Sequence, residues 1–217
     1  MIIQPYFYLF LIFFVSYLLG SFPTAYLITK KYSGQDIKKI GTGNVGAMNV
    51  QRATGKIHLF ILTFLIDAGK AVLAILIAEK FSYLGYDLKL GITAAALGAV
   101  VGHCFPIFLK FHGGKAIASL MGILALLNFQ WLFLPWGAVC LFSIFTTGYL
   151  FLGQFMGTIF LPVIAYLLAP EYFWLCFLVA IPIFIKQWPR FIPMLKGQEP
   201  KWYWKIPKNK KNEQSSN

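Results

Sequence analysis

The sequence predicts an all-α integral membrane protein with seven transmembrane helices. The chain is 59% hydrophobic and only 12% charged, whereas about a quarter of the residues in a soluble domain are charged. Apolar stretches of about 18 or more residues, long enough for a helix to cross the hydrocarbon core, recur from Ile2 to Ile185. A length of 217 residues suits one membrane bundle.

The first predicted span covers residues 5–29 and is interrupted near its end by Gly20-Ser21-Phe22-Pro23-Thr24. A polar loop at 30–56 leads to a second span at 57–80, which contains Asp67 and Lys70. Residues three apart lie on one helical face, and charged groups inside a membrane pair with one another or line a functional cavity. The pair is therefore expected to hold helices together or to brace a site.

The remaining predicted spans cover residues 90–109, 117–127, 131–145, 149–169 and 172–186. The fourth span of the chain, at 117–127, is short and is expected to be half embedded. Turns are expected near residues 128–130 and 146–148. An odd number of spans puts the two termini on opposite sides of the membrane.

Basic residues predict the orientation of these spans. The formal net charge is +12, and the loop at 30–56 carries six of the basic residues while eight more lie between Lys186 and Lys211. Such clusters beside apolar segments follow the positive-inside rule and favour anionic lipid headgroups over nucleic acid. The N-terminus is predicted outside and the C-terminus in the cytoplasm, with one transmembrane domain at 1–203 and a basic cytoplasmic tail at 204–217.

The first polar loop contains the glycine-rich run Gly41-Thr42-Gly43-Asn44-Val45-Gly46-Ala47-Met48-Asn49. Glycines allow backbone N–H groups to converge on an anion, and the threonine and two asparagines add side-chain donors. The run matches the dinucleotide-binding spacing, but that site needs a strand before it and a βαβ unit around it. A phosphate cradle and a tight turn between helices are the two interpretations that remain.

A second glycine-rich loop, Gly113-Gly114-Lys115, precedes the predicted span at 117–127. Two glycines permit close backbone approach, lysine is a point charge suited to phosphate, and a helix N-terminus adds to an anion site. The alternative is a lysine that only sets topology. Neighbouring His103 and Cys104 point in different directions on a helix, which argues against a thiol nucleophile.

Further motifs accompany these loops between residues 20 and 120. They are Ser21-Phe22-Pro23-Thr24-Ala25, the run from Gly34 to Arg52, Asp67-x-x-Lys70, and Gly102-His103-x-Phe105-Pro106 continuing to Lys115. Their order and separation resemble those of the bacterial membrane acyl-phosphate:glycerol-3-phosphate acyltransferases. Seven spans, an outside N-terminus and cytoplasmic motif loops are also features of that family.

The resemblance implies transfer of a fatty acyl group from acyl-phosphate to the 1-hydroxyl of glycerol 3-phosphate. The products are lysophosphatidic acid and phosphate, and the pathway is phospholipid biosynthesis. The implied location is the bacterial cytoplasmic (plasma) membrane, among membrane lipids. The resemblance implies no cofactor, no metal, no acyl carrier protein and no acyl-enzyme, and the substrate's own phosphate is implied as acceptor of the hydroxyl proton.

The site residues follow from this resemblance and from the chemistry of the two loops. Lys115 and Asn44 are the expected catalytic residues. The expected substrate-binding residues are Ser21, Thr42, Gly43, Asn49, Arg52, His103, Gly113 and Gly114, and the expected supporting residues are Asp67, Lys70 and Glu199. The loop ending in Lys115 would hold the acyl-phosphate and stabilise charge on the leaving phosphate.

The C-terminal half departs from the family pattern. The stretch 148–152 lacks a basic residue and a serine, Gln187-Trp188-Pro189-Arg190 stands where the family has His-Arg-x-Asn, and Ala116 replaces a common third glycine. Arg190 is a candidate to replace one lost cationic contact. Two alternatives remain open: a divergent relative with another phosphorylated acceptor or no activity, and a membrane transporter or binder of a phosphorylated ligand.

Overall fold

The computed structural model describes residues 3–198, and within them every regular element is helical. The ten α-helices of this part of the chain are α1 (Ile3–Ser21), α2 (Thr24–Ser33), α3 (Ala47–Thr54), α4 (Ile57–Lys80), α5 (Leu88–Cys104), α6 (Ile117–Leu127), α7 (Leu134–Thr147), α8 (Leu150–Leu168), α9 (Phe173–Gln187) and α10 (Phe191–Leu195). The predicted all-α fold is confirmed for these residues. The predicted boundary between the domain and its tail, at residue 203, lies outside them.

Six helical segments of the described chain are long and apolar enough to cross a membrane. They are Gln4–Ser33, Ile57–Lys80, Leu88–Leu109, Phe129–Thr147, Leu150–Leu168 and Pro170–Leu195. Helix α6 has 11 residues, which gives a length of about 17 Å against a hydrocarbon core of about 30 Å. The prediction of seven spans is therefore confirmed for six, and the seventh is a helix about half as long as the membrane is thick.

The predicted interruption of the first span is present between α1 and α2. Helix α1 ends at Ser21, and α2 begins at Thr24 after Pro23. Proline has no N–H to continue the helical ladder, and the break leaves the Phe22 carbonyl open to other donors. That carbonyl accepts a hydrogen bond from Lys70 Nζ at 3.2 Å, so the irregular backbone is stabilised inside the bundle.

Glycines bring α1 and α5 into backbone contact. A Cβ atom at Gly20 would collide with the Ala99 carbonyl, and one at Gly102 would collide with the Tyr17 carbonyl. Small residues at helix interfaces let backbones approach closely where lipid offers no hydrophobic driving force. Gly98 lies against Phe13, and Gly102 lies against Tyr17 and Ser21. Residue numbers therefore increase together along the contact, so the two helices are parallel and both end at the same end of the bundle.

The other helix pairs bring further helix ends to this place. Helices α4 and α6 are parallel, since Gly122 packs against Ala68 and the Ser119 hydroxyl donates to the Asp67 carbonyl at 2.9 Å. Helices α7 and α8 are antiparallel, with Gly157 beside Cys140 and Gly153 beside Ile144. As a result α1, α5 and α9 end where α4, α6 and α8 begin, and the described start of the chain lies at the opposite end.

Candidate functional site

A cavity of about 350 Å³ opens at the end of the bundle where these helix termini meet. Its walls come from the first glycine-rich loop, α3, the first half of α4, the end of α5, the starts of α6 and α8, and Arg190 after α9. The predicted site residues that line it are Thr42, Asn44, Asn49, Arg52, Asp67, His103 and Lys115. Residues separated by more than 70 positions in the sequence therefore share one cavity.

The cavity has a cationic part and an apolar part. Arg52, Lys115 and Arg190 contribute positive charge to its lining, against the single carboxylate of Asp67. Apolar side chains from α4, α6 and α8 complete the wall, namely Phe60, Phe64, Ile117, Met121, Leu150 and Phe151. A ligand with a phosphate group at one end and a hydrocarbon chain at the other fits this division.

Asn49 holds the first glycine-rich loop against α3. Its side chain is 1% exposed, and its Nδ2 atom donates to the carbonyls of Ile37 at 3.1 Å and Ile40 at 2.8 Å. A turn follows, in which the Gly43 N–H donates to the Ile40 carbonyl at 2.9 Å. Gly41 and Gly43 have φ of +53° and +69°, a conformation that favours glycine. The first glycine-rich loop thus contains a turn that the Asn49 side chain closes.

The second loop is built around His103. The Gly114 N–H donates to the His103 carbonyl at 3.1 Å, and a Cβ atom at Gly114 would collide with the His103 ring and the Val45 carbonyl. Gly113 has equally little space, because the carbonyls of His103 and Cys104 lie against it. Both positions therefore require glycine, because the backbone of other segments approaches them closely. Gly114 in particular lets the loop pack against Val45, in the segment that leads into α3.

Lys115 leaves this loop at the start of α6. Its side chain is only 8% exposed, and its Nζ atom lies 4.5 Å from the centroid of the Phe151 ring. Ala116, which follows, has φ of +55° and is fully buried. The left-handed conformation is strained for alanine but not for glycine. Ala116 therefore adopts a backbone conformation that a glycine at this position would adopt without strain.

Asp67 and Lys70 form the predicted ion pair in the middle of α4. Their atoms Oδ1 and Nζ are 2.9 Å apart, and both side chains are almost fully buried. The His103 Nδ1 atom lies 3.8 Å from the same carboxylate oxygen. Through Asp67 and His103 the pair contacts the wall of the cavity, and through Lys70 it contacts the helix break at Phe22. The pair therefore contacts both the cavity and the break between α1 and α2.

Several predicted residues lie beside the cavity rather than in its wall. Ser21, Lys70, Gly113 and Gly114 line a second, smaller space of about 10 Å³, about the size of one water molecule. Asp67 and His103 border both spaces. Gly43 lines neither, and its part is to form the turn described above. Glu199 lies outside the described residues.

The sequence did not single out Phe151 and Gln154, which line the cavity from the start of α8. Arg190, noted only as a possible replacement, also lines it. Gln187 is fully buried, and its Nε2 atom donates to the Thr158 hydroxyl at 3.2 Å, so it packs between α8 and α9 instead. Phe151 and Gln154 are three positions apart and so lie on one face of α8. This spacing was the only feature of the sequence that could have indicated the two residues together.

Comparison with known proteins gives a consistent picture. A profile of the glycerol-3-phosphate acyltransferase family matches residues 10–197. The chain is 36% identical over 193 residues to a glycerol-3-phosphate acyltransferase of Wolbachia sp. subsp. Brugia malayi (strain TRS). This alignment covers 89% of this chain and 98% of the relative. The chain is 35% identical over 195 residues to one of Prochlorococcus marinus (strain MIT 9312), covering 88% and 96%.

Solved structures with the same architecture point to the same family. Two are crystal structures of PlsY (YgiH), an integral membrane glycerol 3-phosphate acyltransferase. Its glycerol 3-phosphate form superimposes with a TM-score of 0.78 at 28% identity, over 89% of this chain and 95% of that one. Its lysophosphatidic acid form gives 0.74 at 29% identity, over 89% and 94%. The chain belongs to the glycerol-3-phosphate acyltransferase family.

Proposed function

We propose that this protein transfers a fatty acyl group from acyl-phosphate to the 1-hydroxyl of glycerol 3-phosphate. The observation that carries the proposal is the two-part cavity, in which three cationic side chains stand beside an apolar wall. Acyl-phosphate has a phosphate joined to a hydrocarbon chain, and glycerol 3-phosphate brings a second phosphate. Relatives named glycerol-3-phosphate acyltransferase support the assignment, and lysophosphatidic acid is the expected product.

The two substrates occupy different sides of the cavity in this proposal. Lys115 lies between the second glycine-rich loop and the apolar residues of α6 and α8, so the phosphate of the acyl donor binds there with its chain along the apolar wall. Thr42, Asn44 and Arg52 line the cavity from the first glycine-rich loop and α3 and bind glycerol 3-phosphate. Asn44 orients the acceptor hydroxyl, while Asn49 keeps the loop in shape.

The reaction needs no covalent intermediate. The 1-hydroxyl oxygen attacks the acyl carbonyl carbon, an ester C–O bond forms, and the bond between that carbon and the phosphate oxygen breaks. The hydroxyl proton passes to a phosphate oxygen of a bound substrate, and inorganic phosphate leaves with the bonding electrons. Lys115 stabilises the negative charge that develops on this leaving group, and fixing the two substrates side by side supplies much of the acceleration.

The cavity is proposed to face the cytoplasm of a bacterial cell, with the N-terminus outside the plasma membrane. The helix ends that form the cavity adjoin the lysine-rich loop at 30–56, whereas the opposite end of the bundle carries Lys80 and Lys89 beside Glu79, Asp87 and Glu171. Basic loops stay on the cytoplasmic side. A soluble acceptor would enter from the cytoplasm, and a lipid-soluble donor would come from the bilayer.

The deciding experiment supplies the purified protein, in lipid nanodiscs, with palmitoyl-phosphate and glycerol 3-phosphate. We expect phosphate release that requires both substrates, together with lysophosphatidic acid detected by mass spectrometry. Acyl carrier protein thioesters and acyl-coenzyme A are tested as alternative donors and should give no product. Release with another phosphorylated acceptor only would identify a divergent relative, and uptake of a phosphorylated ligand into sealed vesicles without release would favour transport.

A further inference from the structure

Phe151 is the common neighbour of two cations in the cavity. Lys115 Nζ lies 4.5 Å from the centroid of its ring, and Arg190 Cζ lies 5.5 Å from the same centroid. All three residues line the cavity, and Phe151 itself is only 5% exposed. Lys115 lies just before α6, and Arg190 lies in the turn between α9 and α10, so a single ring connects two distant parts of the chain.

Two positive side chains so close to one ring repel each other, and the repulsion is strongest where water is excluded. The face of an aromatic ring carries partial negative charge and attracts a cation placed over it. Phe151 therefore offsets part of the repulsion and favours side-chain conformations that keep both cations in the cavity wall. An anion that binds between them removes the remaining repulsion, and phosphate is an anion with enough oxygens to contact both.

An aromatic cluster fixes the ring in place. Phe155 packs against Phe151 in a tilted arrangement with centroids 5.8 Å apart, and it stacks on Phe191 with centroids 4.9 Å apart. Phe191 follows Arg190 directly in the chain and also stacks on Trp188 at 5.6 Å. Because α8 and the start of α10 share this cluster, the position of Arg190 relative to Phe151 is determined by packed rings rather than by a flexible tail.

We propose that Phe151 is a positioning residue that aligns Lys115 and Arg190 on the phosphate of the acyl donor. The choice of substrate follows from the surroundings, since Leu150 precedes the ring and Ile117 follows the lysine on the apolar wall. A phosphate held there is joined to a hydrocarbon chain. Arg190 thereby becomes a specificity-determining contact for acyl-phosphate. The inference rests on the proposed function for its substrate, and on the ring geometry for the role of the residue.

The test compares Phe151→Leu with Phe151→Tyr. Leucine keeps apolar bulk but removes the ring face, whereas tyrosine keeps the face. We expect kcat/KM for acyl-phosphate to fall about tenfold in Phe151→Leu, as expected for loss of two partly desolvated cation–ring contacts. The KM for glycerol 3-phosphate should change less than twofold. Phe151→Tyr should keep most of the wild-type kcat/KM for acyl-phosphate.

Two further variants separate positioning from packing. Phe155→Leu removes a supporting ring at a site that does not line the cavity and leaves the Phe151 ring beside both cations. It should lower the unfolding temperature and raise the KM for acyl-phosphate less than Phe151→Leu does. Arg190→Gln combined with Phe151→Leu should cost less than the product of the two single effects, because both act on one bound phosphate. Equal KM changes in Phe155→Leu and Phe151→Leu would overturn the proposal.

The outcome can be distinguished from failure of the proposed function. If the wild-type protein released no phosphate from acyl-phosphate, the assignment of the reaction would fail, and the role of Phe151 would be tested with inorganic phosphate alone. Phosphate should raise the unfolding temperature of the wild type and of Phe151→Tyr more than that of Phe151→Leu. An equal rise in all three proteins would sink the inference, whatever the reaction proved to be.

Discussion

Charged side chains are buried at one place in the described part of the bundle. Asp67, Lys70, His103 and Lys115 are each less than a tenth exposed, and three of them line the larger cavity while Lys70 binds Asp67. Burying charge is unfavourable unless it is paired. Their concentration around one cavity, with three of the four in its wall, indicates that the unfavourable burial of charge serves the site.

Replacing Lys115 by alanine should reduce turnover about 10²–10³-fold, the effect of removing one donor to a developing negative charge. The rate of phosphate release at saturating substrates measures this. Lys110→Gln is the matched control, since Lys110 lies in the same segment but is exposed and outside the cavity lining, and it should retain the wild-type rate. A Lys115→Ala protein as fast as Lys110→Gln would contradict the role of Lys115.

Breaking the buried ion pair should cost more than removing it. Lys70→Met leaves the Asp67 carboxylate buried without its partner, and we expect the free energy of unfolding to fall by about 3–5 kcal/mol. The double variant Asp67→Asn with Lys70→Met leaves no unpaired charge and should be the more stable of the two. Denaturant titration in detergent measures the free energy of unfolding of both variants. A double variant less stable than the single one would show that the unpaired Asp67 carboxylate does not cause the loss of stability in Lys70→Met.

At the scale of helices, backbone contact between α1 and α5 is the feature that places His103. Both helices end at the cavity, and their glycines remove the side chains that would hold them apart. The sequence predicted the two spans and the interruption after Gly20, because hydropathy and proline act locally. It did not predict which spans would touch, since glycines in a membrane helix serve packing, kinks and loops alike.

Gly102→Ala and Gly69→Ala form a matched pair of helix substitutions. A Cβ atom at Gly102 would collide with the Tyr17 carbonyl, whereas one at Gly69 would have no atom within 4 Å. Alanine at position 102 should therefore lower the free energy of unfolding by about 1–3 kcal/mol as the helices are forced apart. Alanine at 69 should leave it unchanged or raise it by up to about 1 kcal/mol through helix propensity. Equal unfolding free energies in the two variants would be inconsistent with close contact at Gly102.

At the scale of the whole molecule, the short helix α6 decides where the termini lie. It leaves the cavity end at Ile117 and is followed by a π-helical turn at Phe129–Phe133 before α7 returns. The hydroxyl of Tyr172, at the start of the last long segment, lies 3.5 Å from the Leu127 carbonyl. The end of α6 therefore reaches towards the far side, and the described ends of the chain come to lie at opposite ends of the bundle.

The proposed orientation can be tested with single cysteines. The native residues Cys104, Cys140 and Cys176 are all buried, so background labelling should be low. In intact cells a membrane-impermeant maleimide should label Lys89→Cys, which is exposed at the far end, but should label Gln35→Cys only after the membrane is permeabilised. The opposite pattern would place the cavity outside the cell and would remove the cytoplasmic acceptor from the mechanism.

The sequence by itself determined the membrane class, the six long spans, the short one and the two glycine loops. Hydropathy, glycine content and charge are properties of a single segment, so each can be predicted from the sequence of that segment alone. Only the tertiary structure decided how these parts combine: that Asn49 closes its own loop, that Gln187 is buried against Thr158, and that Phe151 and Arg190 complete the cavity wall. Those roles depend on which helix faces meet. Helix packing is determined by contacts between residues far apart in the chain, and these contacts cannot be predicted from any single segment.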